Sequence, residues 1–271
     1  MDLDLKGKRA LVTGASSGIG TAIAKLLAAE GVRVVVHGRD QVRTRRVTDD
    51  INAAGGSAKI ALGDLSNQAG ADKVAAAAQE AFGGIDILVN NAGGPSDASL
   101  GMEFFALKPE HWVATYERNL ISALRLSEFF SPQMKERGWG RIIQITSGLA
   151  YSPRGMQGDY SASKSAMNNF TFNLSRALAN TGVTVNGVSP GMTVTPMLED
   201  WLAGIADANG LGRDVAKGEE FVLRNLFQLS VGRLGRPEDV ANVVAFIASP
   251  LADYMNGTTV RVDGGGSPSV N

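Results

Sequence analysis

Residues 9–20 read Arg-Ala-Leu-Val-Thr-Gly-Ala-Ser-Ser-Gly-Ile-Gly, an apolar run that passes directly into a glycine-rich turn. The run from Arg9 to Thr13 predicts a buried strand, and the pattern from Gly18 to Ala29 predicts the helix that follows it. Glycine permits tight turns and a close approach of backbone to ligand. The start of the helix offers free N–H groups and a partial positive charge to a pyrophosphate. The stretch therefore predicts the first strand, turn and helix of a dinucleotide-binding sheet.

Short apolar strands alternate with helices along the rest of the chain. Strands are predicted at 33–36, 57–62, 85–90, 141–147, 183–188 and 259–262, and helices at 41–54, 68–82, 109–137 and 160–181. This alternation predicts parallel pairing through right-handed crossovers. The predicted fold class is therefore α/β, with a doubly wound, mostly parallel, seven-stranded sheet of the Rossmann-like kind.

No linker, repeat or low-complexity tract divides the sequence, so residues 1–271 are predicted to form a single dinucleotide-binding domain. The one break in the rhythm is the long stretch 193–232. Long insertions in compact domains are often lids or binding loops, and this one follows a strand end, where open α/β sheets bind ligands. We expect residues 193–232 to form a substrate lid.

The composition excludes several classes of protein. Hydrophobic residues make up 44% of the chain, charged residues 20%, and the net charge is −1, which is typical of a soluble globular protein and not of a nucleic-acid binder. Cysteine is absent and there are only two histidines, His37 and His111, so we expect no disulfide and no metal site. No signal peptide is recognisable, and no apolar run reaches the roughly 18–20 residues needed to span a bilayer. We expect a cytoplasmic enzyme with no membrane or nucleic-acid partner.

The glycine turn fits two different chemistries. Its spacing differs from the Gly-x-Gly-x-x-Gly dinucleotide fingerprint, and no Gly-Lys-Ser/Thr of a P-loop follows it. The segment Gly14-Ala-Ser16-Ser-Gly18 also matches the Gly-x-Ser-x-Gly nucleophile elbow of α/β-hydrolases. A hydrolase needs a histidine in a late loop, and neither His37 nor His111 stands there. A dinucleotide site is therefore favoured over a hydrolase.

The end of the second predicted strand bears on the coenzyme. A carboxylate at this place usually binds the ribose hydroxyls of NAD, whereas an arginine nearby accommodates the 2′-phosphate of NADP. Gly38 stands at the carboxylate position and Arg39 follows it. Three more basic residues raise the local positive potential, namely Arg43, Arg45 and Arg46. NADP (NADPH) is therefore the predicted coenzyme, with NAD as the alternative.

Two acidic residues near these strand ends have purely structural interpretations as well. Asp40 merely caps the next helix if the arginines beside it are solvated and bind no phosphate. Asp64, just past the third predicted strand, either accepts a hydrogen bond from the adenine amino group or closes its own turn.

Tyr160 and Lys164 stand four positions apart in a predicted helix, so they share one face. A neighbouring cation favours the phenolate form of tyrosine. Lowering the pKa of the phenol from about 10 to roughly 7 requires about 4 kcal/mol of differential stabilisation. The spacing predicts a phenol that passes a proton to or from a substrate oxygen.

With these motifs the chain resembles the short-chain dehydrogenase/reductase family along nearly its full length. The motifs that carry the resemblance follow in the family's order: Thr13–Gly20, Asp64, Asn90-Asn91-Ala92-Gly93, Asn119, Ser147, Tyr160 with Lys164, Pro190-Gly191 with Thr195, and Val262-Asp263-Gly264-Gly265. Their joint occurrence by chance is very improbable, although each motif alone is weak.

The resemblance implies four catalytic residues. Tyr160 is the general acid in reduction and the general base in oxidation. Lys164 lowers the pKa of Tyr160 and bonds the nicotinamide ribose. Ser147 hydrogen-bonds the substrate oxygen, and Asn119 holds a water in a proton relay.

The resemblance also implies a set of coenzyme contacts. Thr193 through its backbone and Thr195 through its side chain orient the nicotinamide amide. Ser17 stands where NADP-using members often carry a basic residue, which keeps the NAD alternative open. The full set is Gly14, Ser16, Ser17, Gly18, Ile19, Gly20, Arg39, Asp64, Leu65, Asn91, Ala92, Gly93, Tyr160, Lys164, Pro190, Gly191, Thr193 and Thr195.

The substrate pocket is expected to lie among segments 94–107, 149–157 and 193–232. These segments carry mainly apolar side chains, with Arg154 as a polar anchor, which suits a small ketone or a β-ketoacyl thioester. Resemblance to 3-oxoacyl-carrier-protein reductases would place Arg125 and Arg176 near the site mouth. A polyol or sugar dehydrogenase is the alternative. The pocket side chains in question are Phe104, Phe105, Tyr151, Met156, Met192, Met197, Leu198 and Trp201.

The two long predicted helices are apolar on more than one face, which indicates either deep burial or an interface. Family members are usually dimers or tetramers built on these helices, so a homotetramer is expected. A non-catalytic dinucleotide-binding protein is the distant alternative, and members of that kind usually lack the tyrosine or the lysine.

Overall fold

Seven strands form one sheet in the computed structural model, which describes residues 2–96, 99 and 102–268. Within these residues every neighbouring pair of strands is parallel, in the order β3-β2-β1-β4-β5-β6-β7. The predicted fold class is confirmed, and the sheet is parallel throughout. The strands are β1 (Arg9–Val12), β2 (Arg33–Gly38), β3 (Ser57–Leu62), β4 (Ile87–Asn90), β5 (Gly140–Ile145), β6 (Val183–Pro190) and β7 (Thr259–Val262).

Helices cover both faces of this sheet. None of those described has the length and apolar character that crossing a bilayer requires. They are α1 (Gly18–Ala29), α2 (Gln41–Ala53), α3 (Gln68–Phe82), α4 (Pro109–Tyr116), α5 (Ser122–Glu136), α6 (Gly158–Ala177), α7 (Pro196–Ala208), α8 (Val215–Asn225) and α9 (Pro237–Ala248).

Two hydrophobic cores lie on the two faces of the sheet. Ala10 and Val12 of β1 pack into the core formed with α1, α2 and α9, while Leu11 packs into the core formed with α3 and α5. Alternate strand residues point to opposite faces, so a strand covered on both sides is apolar throughout. The chain order reverses between β1 and β4, and a crevice opens at the carboxyl ends of strands at such a point.

The helix predicted over 109–137 is interrupted by a π turn at Glu117–Ile121, between α4 and α5. Asn119 lies in this turn and its side-chain amide donates to the carbonyl of Thr115 at 2.8 Å. π turns inside helices are frequent at functional sites. Periodicity alone did not reveal the interruption because it depends on the contacts of one side chain.

The segment 193–232 contains two helices, α7 and α8, where the sequence indicated an irregular stretch. They share a small core of their own around Leu202, Val222 and Leu234. Close packing depends on Gly218, since a Cβ there would come within 2.1 Å of the Leu202 carbonyl oxygen. A backbone bridge between Thr193 and Gly235 joins the two ends of the segment.

Candidate active site

The glycine turn after β1 is tied to the start of the loop after β4. The side-chain amide of Asn91 donates to the carbonyls of Thr13 at 2.8 Å and Gly14 at 3.2 Å. The hydroxyl of Thr13 accepts from the N–H groups of Asn91 and Ala92, both at 2.9 Å. A Cβ at Gly20 would lie 2.4 Å from the Gly14 carbonyl oxygen, so only glycine fits there. Asn91, predicted to contact the coenzyme, is placed to hold the turn in shape.

His37 fixes the same turn from the end of β2. The N–H of Gly14 donates to its Nδ1 at 3.1 Å, so the ring proton is assigned to Nε2, which donates to the Gly63 carbonyl at 3.1 Å. Burial lowers the pKa of His37, and the bond to Gly63 acts in the opposite direction. The lowered pKa favours the neutral ring, which is the form that can accept at Nδ1 and donate at Nε2. Both ring nitrogens are engaged, so His37 is not the base that a hydrolase reading of Ser16 needs. No pattern in the sequence indicated this role of His37, because Gly14 and Gly63 lie 23 and 26 residues away from it.

The first turn of α1 fits a pyrophosphate. Ser17 is the N-cap residue, its side chain makes no capping bond, and the first turn carries no acidic residue. The backbone N–H groups there are left to a ligand, and the helix end attracts negative charge. Gly18 adopts φ 54°, and a Cβ on it would lie 3.0 Å from Cγ2 of Thr195. The structure thus brings the glycine turn and Thr195 close together.

The surroundings of Gly38 bear on the choice between NAD and NADP. A Cβ at Gly38 would lie 2.2 Å from the Thr44 hydroxyl and 3.0 Å from Oγ of Ser16, so a carboxylate side chain does not fit without a shift. Arg39 is exposed and has no ion pair within the part of the chain that the structure describes. Asp40 caps α2, because it accepts from the Arg43 N–H at 2.9 Å. The capping interpretation of Asp40 therefore applies.

Asp64 follows β3 and is exposed. It accepts from the Ser66 N–H at 3.0 Å, as its turn-closing interpretation requires. Burial would raise the pKa of Asp64, but the bonds from Ser66 and the charge of Arg39 hold the pKa below its usual value. The neighbouring Leu65 is buried, and its carbonyl accepts from Arg125 at 3.2 Å.

Ser147, Tyr160 and Lys164 meet at the carboxyl end of β5. The Ser147 side chain lies near the Tyr160 hydroxyl, close enough to lower the pKa of the phenol. Lys164 is buried, and its Nζ donates to the Ile145 carbonyl at 2.7 Å and lies 5.7 Å from the centre of the Tyr160 ring. The spacing of four positions on α6 therefore brings the two side chains together as predicted.

The protonation behaviour of this pair differs from the expectation. Burial raises the pKa of Tyr160, with the bond to Ser147 acting in the opposite direction. Burial lowers the pKa of Lys164 to about 7. The amine donates to the Ile145 carbonyl and to the sulfur of Met167, and neither acceptor carries a charge that would offset the burial. In the protein without coenzyme, burial therefore acts against the acidification of Tyr160 that the sequence predicts.

Asn119 is buried, and its side chain makes hydrogen bonds to backbone groups. Its Oδ1 accepts from the Gly94 N–H at 2.9 Å, and its Nδ2 donates to the carbonyls of Gly94 and Thr115 at 2.9 and 2.8 Å. A Cβ at Gly93 would lie 2.4 Å from Oδ1 of Asn119 and 3.1 Å from Nζ of Lys164. Gly93 therefore allows Asn119 and Lys164 to approach each other.

The remaining predicted coenzyme residues lie at the end of β6 or next to the glycine turn and β4. Gly191 follows β6 and donates its N–H to Val262 at 2.9 Å. Thr193 is buried, and its hydroxyl donates to the Gly191 carbonyl at 3.2 Å. Pro190 ends β6, and Ile19 and Ala92 pack against the two cores.

Two contacts shape the predicted substrate side. Phe104 packs against the start of α6, since a Cβ at Gly158 would lie 2.7 Å from its ring. The guanidinium of Arg154 lies 4.2 Å from the centre of the Phe227 ring, which joins the loop after β5 to the end of the segment 193–232. Of the predicted segment 94–107, Asp97, Ala98, Leu100 and Gly101 lie outside the described residues.

The apolar residues predicted to line the pocket separate into three groups. Met192 and Leu198 pack against the core of α7 and α8. Tyr151 is half-buried, and the remaining five are exposed, namely Phe104, Phe105, Met156, Met197 and Trp201. Arg125, suggested for the site mouth, is held by Glu117 at 2.8 Å and by Gln68 at 3.2 Å.

Comparisons with known proteins agree with this geometry. A family model described as short chain dehydrogenase matches residues 8–206. The chain is 37% identical to the 3-oxoacyl-[acyl-carrier-protein] reductase FabG of Vibrio cholerae, over 97% of this chain and 98% of that protein. It superposes with TM-score 0.92 and 31% identity on L-sorbose reductase from Gluconobacter frateurii, solved with NADPH and L-sorbose, over 100% of both chains. A 3-oxoacyl (acyl-carrier-protein) reductase from Agrobacterium tumefaciens with NADP bound gives TM-score 0.85 and 34% identity, over 97% and 96%.

The burial of Lys164 predicts a stability effect with a defined pH dependence. Below pH 7 the amine is charged in both states, so the folded protein carries the full cost of a buried ammonium. The pKa of the amine is about 7 in the folded protein and about 10.4 in the unfolded chain. As the pH rises from the first of these values to the second, the cost of burying the charge disappears. We expect Lys164→Met to raise the free energy of unfolding by up to about 4 kcal/mol at pH 6, and by progressively less towards pH 10.

Urea unfolding at pH 6, 8 and 9.5 measures this difference. The exposed Lys135→Met on α5 serves as the matched control. A Lys164→Met protein that is less stable at pH 6, or whose gain does not change with pH, would contradict the expectation.

Proposed function

The chain belongs to the short-chain dehydrogenase/reductase family, and on that premise we propose that it reduces ketones with NADPH. The family match and the relatives confirm the resemblance drawn from the motifs. Membership makes the protein an oxidoreductase that acts between a nicotinamide coenzyme and a carbonyl or alcohol group.

The meeting of Ser147, Tyr160 and Lys164 beside the glycine turn carries the proposal. Tyr160 gives its proton to the carbonyl oxygen of the substrate, and Ser147 donates a hydrogen bond to the same oxygen as charge develops there. A bound nicotinamide supplies the hydride that adds to the carbonyl carbon. The pKa of Tyr160 is raised by burial, so the phenol is protonated at neutral pH and its proton is present to be donated when a carbonyl is reduced.

Lys164 and Asn119 assist the proposed acid Tyr160 without contacting the substrate carbonyl. Lys164 sits beside the Tyr160 ring with a pKa near 7, so it exchanges a proton readily at neutral pH. Asn119 holds the loop at Gly94 and thereby the space around Lys164. We assign two roles to Lys164. It binds the ribose hydroxyls of the coenzyme, and it returns a proton towards Tyr160 after the acid has given up its own.

Replacing the acid tests this proposal most directly. We expect Tyr160→Phe to lower kcat by about a thousandfold or more, because the proton donor is lost while the ring remains. NADPH binding, followed by fluorescence titration, should stay within about threefold of the wild type. The fully exposed Tyr254→Phe is the matched control. Turnover within tenfold of wild type in Tyr160→Phe would contradict the proposal. A wild-type protein that binds NADPH but turns over no carbonyl substrate would favour the non-catalytic coenzyme-binding alternative.

We propose NADPH rather than NADH as the coenzyme. Gly38 leaves no room for a carboxylate, and Arg39 presents an exposed guanidinium next to it. A guanidinium matches a phosphate with two parallel hydrogen bonds. The coenzyme-bound relatives described above, with NADPH or NADP, support the same choice.

A variant at this position tests the coenzyme preference. We expect Arg39→Ser to raise KM for NADPH about tenfold to a hundredfold, because a hydrogen bond to a charged group is lost. KM for NADH should change by less than about twofold. Arg45→Ser, on the exposed side of α2, is the control and should have a smaller effect. An equal loss with both coenzymes would argue against a 2′-phosphate site at Arg39.

For the substrate we propose a ketone carried on an apolar chain, with a 3-oxoacyl thioester as the leading candidate. The exposed Met156, Met197 and Trp201 on the segments around the site, and the FabG relatives, support this class. A sugar or polyol substrate is the second candidate, which the superposition with L-sorbose reductase favours.

A substrate panel distinguishes the two classes. We expect kcat/KM for 3-oxoacyl thioesters and β-ketoesters to exceed that for keto-sugars by about a hundredfold with NADPH, because apolar side chains stabilise the acyl chain by area burial. Absorbance at the nicotinamide band measures both coenzymes in one assay. A preference for L-sorbose or another keto-sugar would reverse the choice of substrate class and leave the reaction class unchanged.

Four broader proposals accompany this function. We propose that residues 1–271 form one coenzyme-binding domain, that 193–232 closes over the substrate, that the protein acts in the cytoplasm, and that four copies assemble. Exposed Val113, Phe129 and Phe172 on α4, α5 and α6 support assembly through these helices. A light-scattering mass equal to one chain of 28.4 kDa would contradict the tetramer.

A further inference from the structure

The carboxylate of Asp159 is fully buried, one residue before the proposed acid Tyr160. It stands in the first turn of α6, where acidic residues benefit from the partial positive charge of the helix end. Successive residues of a helix are about 100° apart, so adjacent side chains face different neighbours. Tyr160 contacts Ser147 after β5, whereas Asp159 contacts α4.

Asp159 makes one strong bond to a second buried residue. The hydroxyl of Thr115, on α4, donates to its Oδ2 at 2.5 Å. The other carboxylate oxygen, Oδ1, has no partner in the described part of the chain. A buried carboxylate is costly unless it is well hydrogen-bonded, so one bond and a helix end compensate it incompletely. Stability alone would favour an uncharged side chain here.

Thr115 connects this bond to the catalytic surroundings. Its hydroxyl accepts from the N–H of Ser96 at 3.2 Å, and its carbonyl accepts from Nδ2 of Asn119 at 2.8 Å. Asn119 in turn holds Gly94 through two bonds of 2.9 Å. A continuous set of hydrogen bonds therefore runs from the residue before Tyr160 to the loop after β4.

We propose that Asp159 and Thr115 are positioning residues, which hold the first turn of α6 and so fix Tyr160 relative to Asn119 and the loop after β4. The inference rests on the proposed role of Tyr160. The short bond between Thr115 and Asp159 joins α4 to the first turn of α6, and proton transfer depends on placement to within about 1 Å. Neither residue touches the reacting atoms.

A double-mutant cycle tests the pair. We expect Asp159→Leu and Thr115→Val each to lower kcat about a hundredfold, with KM for the ketone and the dissociation constant for NADPH within about threefold. The double variant should lose no more than the worse single variant, because one interaction is removed in every case. Asp159→Asn keeps an acceptor for the Thr115 hydroxyl and should retain kcat within about fivefold.

The control is Thr171→Val on the same helix. Thr171 is buried and its hydroxyl donates only to the Met167 carbonyl at 2.8 Å, so kcat should not change. A purely structural role would lower the melting temperature of the Asp159 and Thr115 variants and leave kcat per folded site unchanged, which would overturn the inference. Additive losses in the double variant would also overturn it. Should Asp159→Leu not fold, Thr115→Val and Asp159→Asn decide the matter.

The Tyr160→Phe variant separates this inference from the proposed function. Turnover that survives Tyr160→Phe contradicts the function, and with it the premise of the inference. Turnover that collapses in Tyr160→Phe and persists in Thr115→Val contradicts the inference alone.

Discussion

The structure depends on one constraint at the glycine turn, whose backbone must approach a ligand closely while its own polar groups stay satisfied. Buried backbone groups without partners are costly, so neighbouring strands supply the partners. Thr13 and Asn91 bond the turn to the end of β4, and His37 bonds it to the ends of β2 and β3. These partners meet only because the strands are parallel and in this order. The arrangement of the sheet is therefore what makes the turn usable as a binding site.

Features that are local in sequence were predictable, and features that join distant residues were not. The strand and turn at 9–20 follow from pattern and glycine spacing, and Tyr160 and Lys164 share a face because they are one helical turn apart. His37 and Gly14 are 23 residues apart, and Thr115 and Asp159 are 44 residues apart, so no periodicity in the sequence predicts that these pairs meet. The π turn at Asn119 likewise follows from bonds to a loop that only the folded chain brings near.

Spacing predicted that Tyr160 and Lys164 meet, but burial affects which protons these two proposed catalytic groups hold. A cation beside a phenol lowers the pKa of the phenol when the cation stays charged. The interior around α6 disfavours both the charged amine of Lys164 and the phenolate of Tyr160. Before the coenzyme binds, Tyr160 is therefore a neutral phenol, and Lys164 lies close to the pH at which it titrates. The same interior holds the carboxylate of Asp159 with a single bond, so the catalytic helix retains several groups that a purely stable core would avoid.

The separate core of α7 and α8 has a consequence for how the site opens. Two helices that pack on each other around Leu202 and Val222 keep their shape when they leave the body of the protein. If the segment 193–232 closes over the substrate as proposed, the two helices move together as one rigid unit attached near Thr193 and Gly235. The contact between Arg154 and Phe227 would then have to break when the unit opens and re-form when it closes. The rate of product release would then depend in part on the strength of this contact.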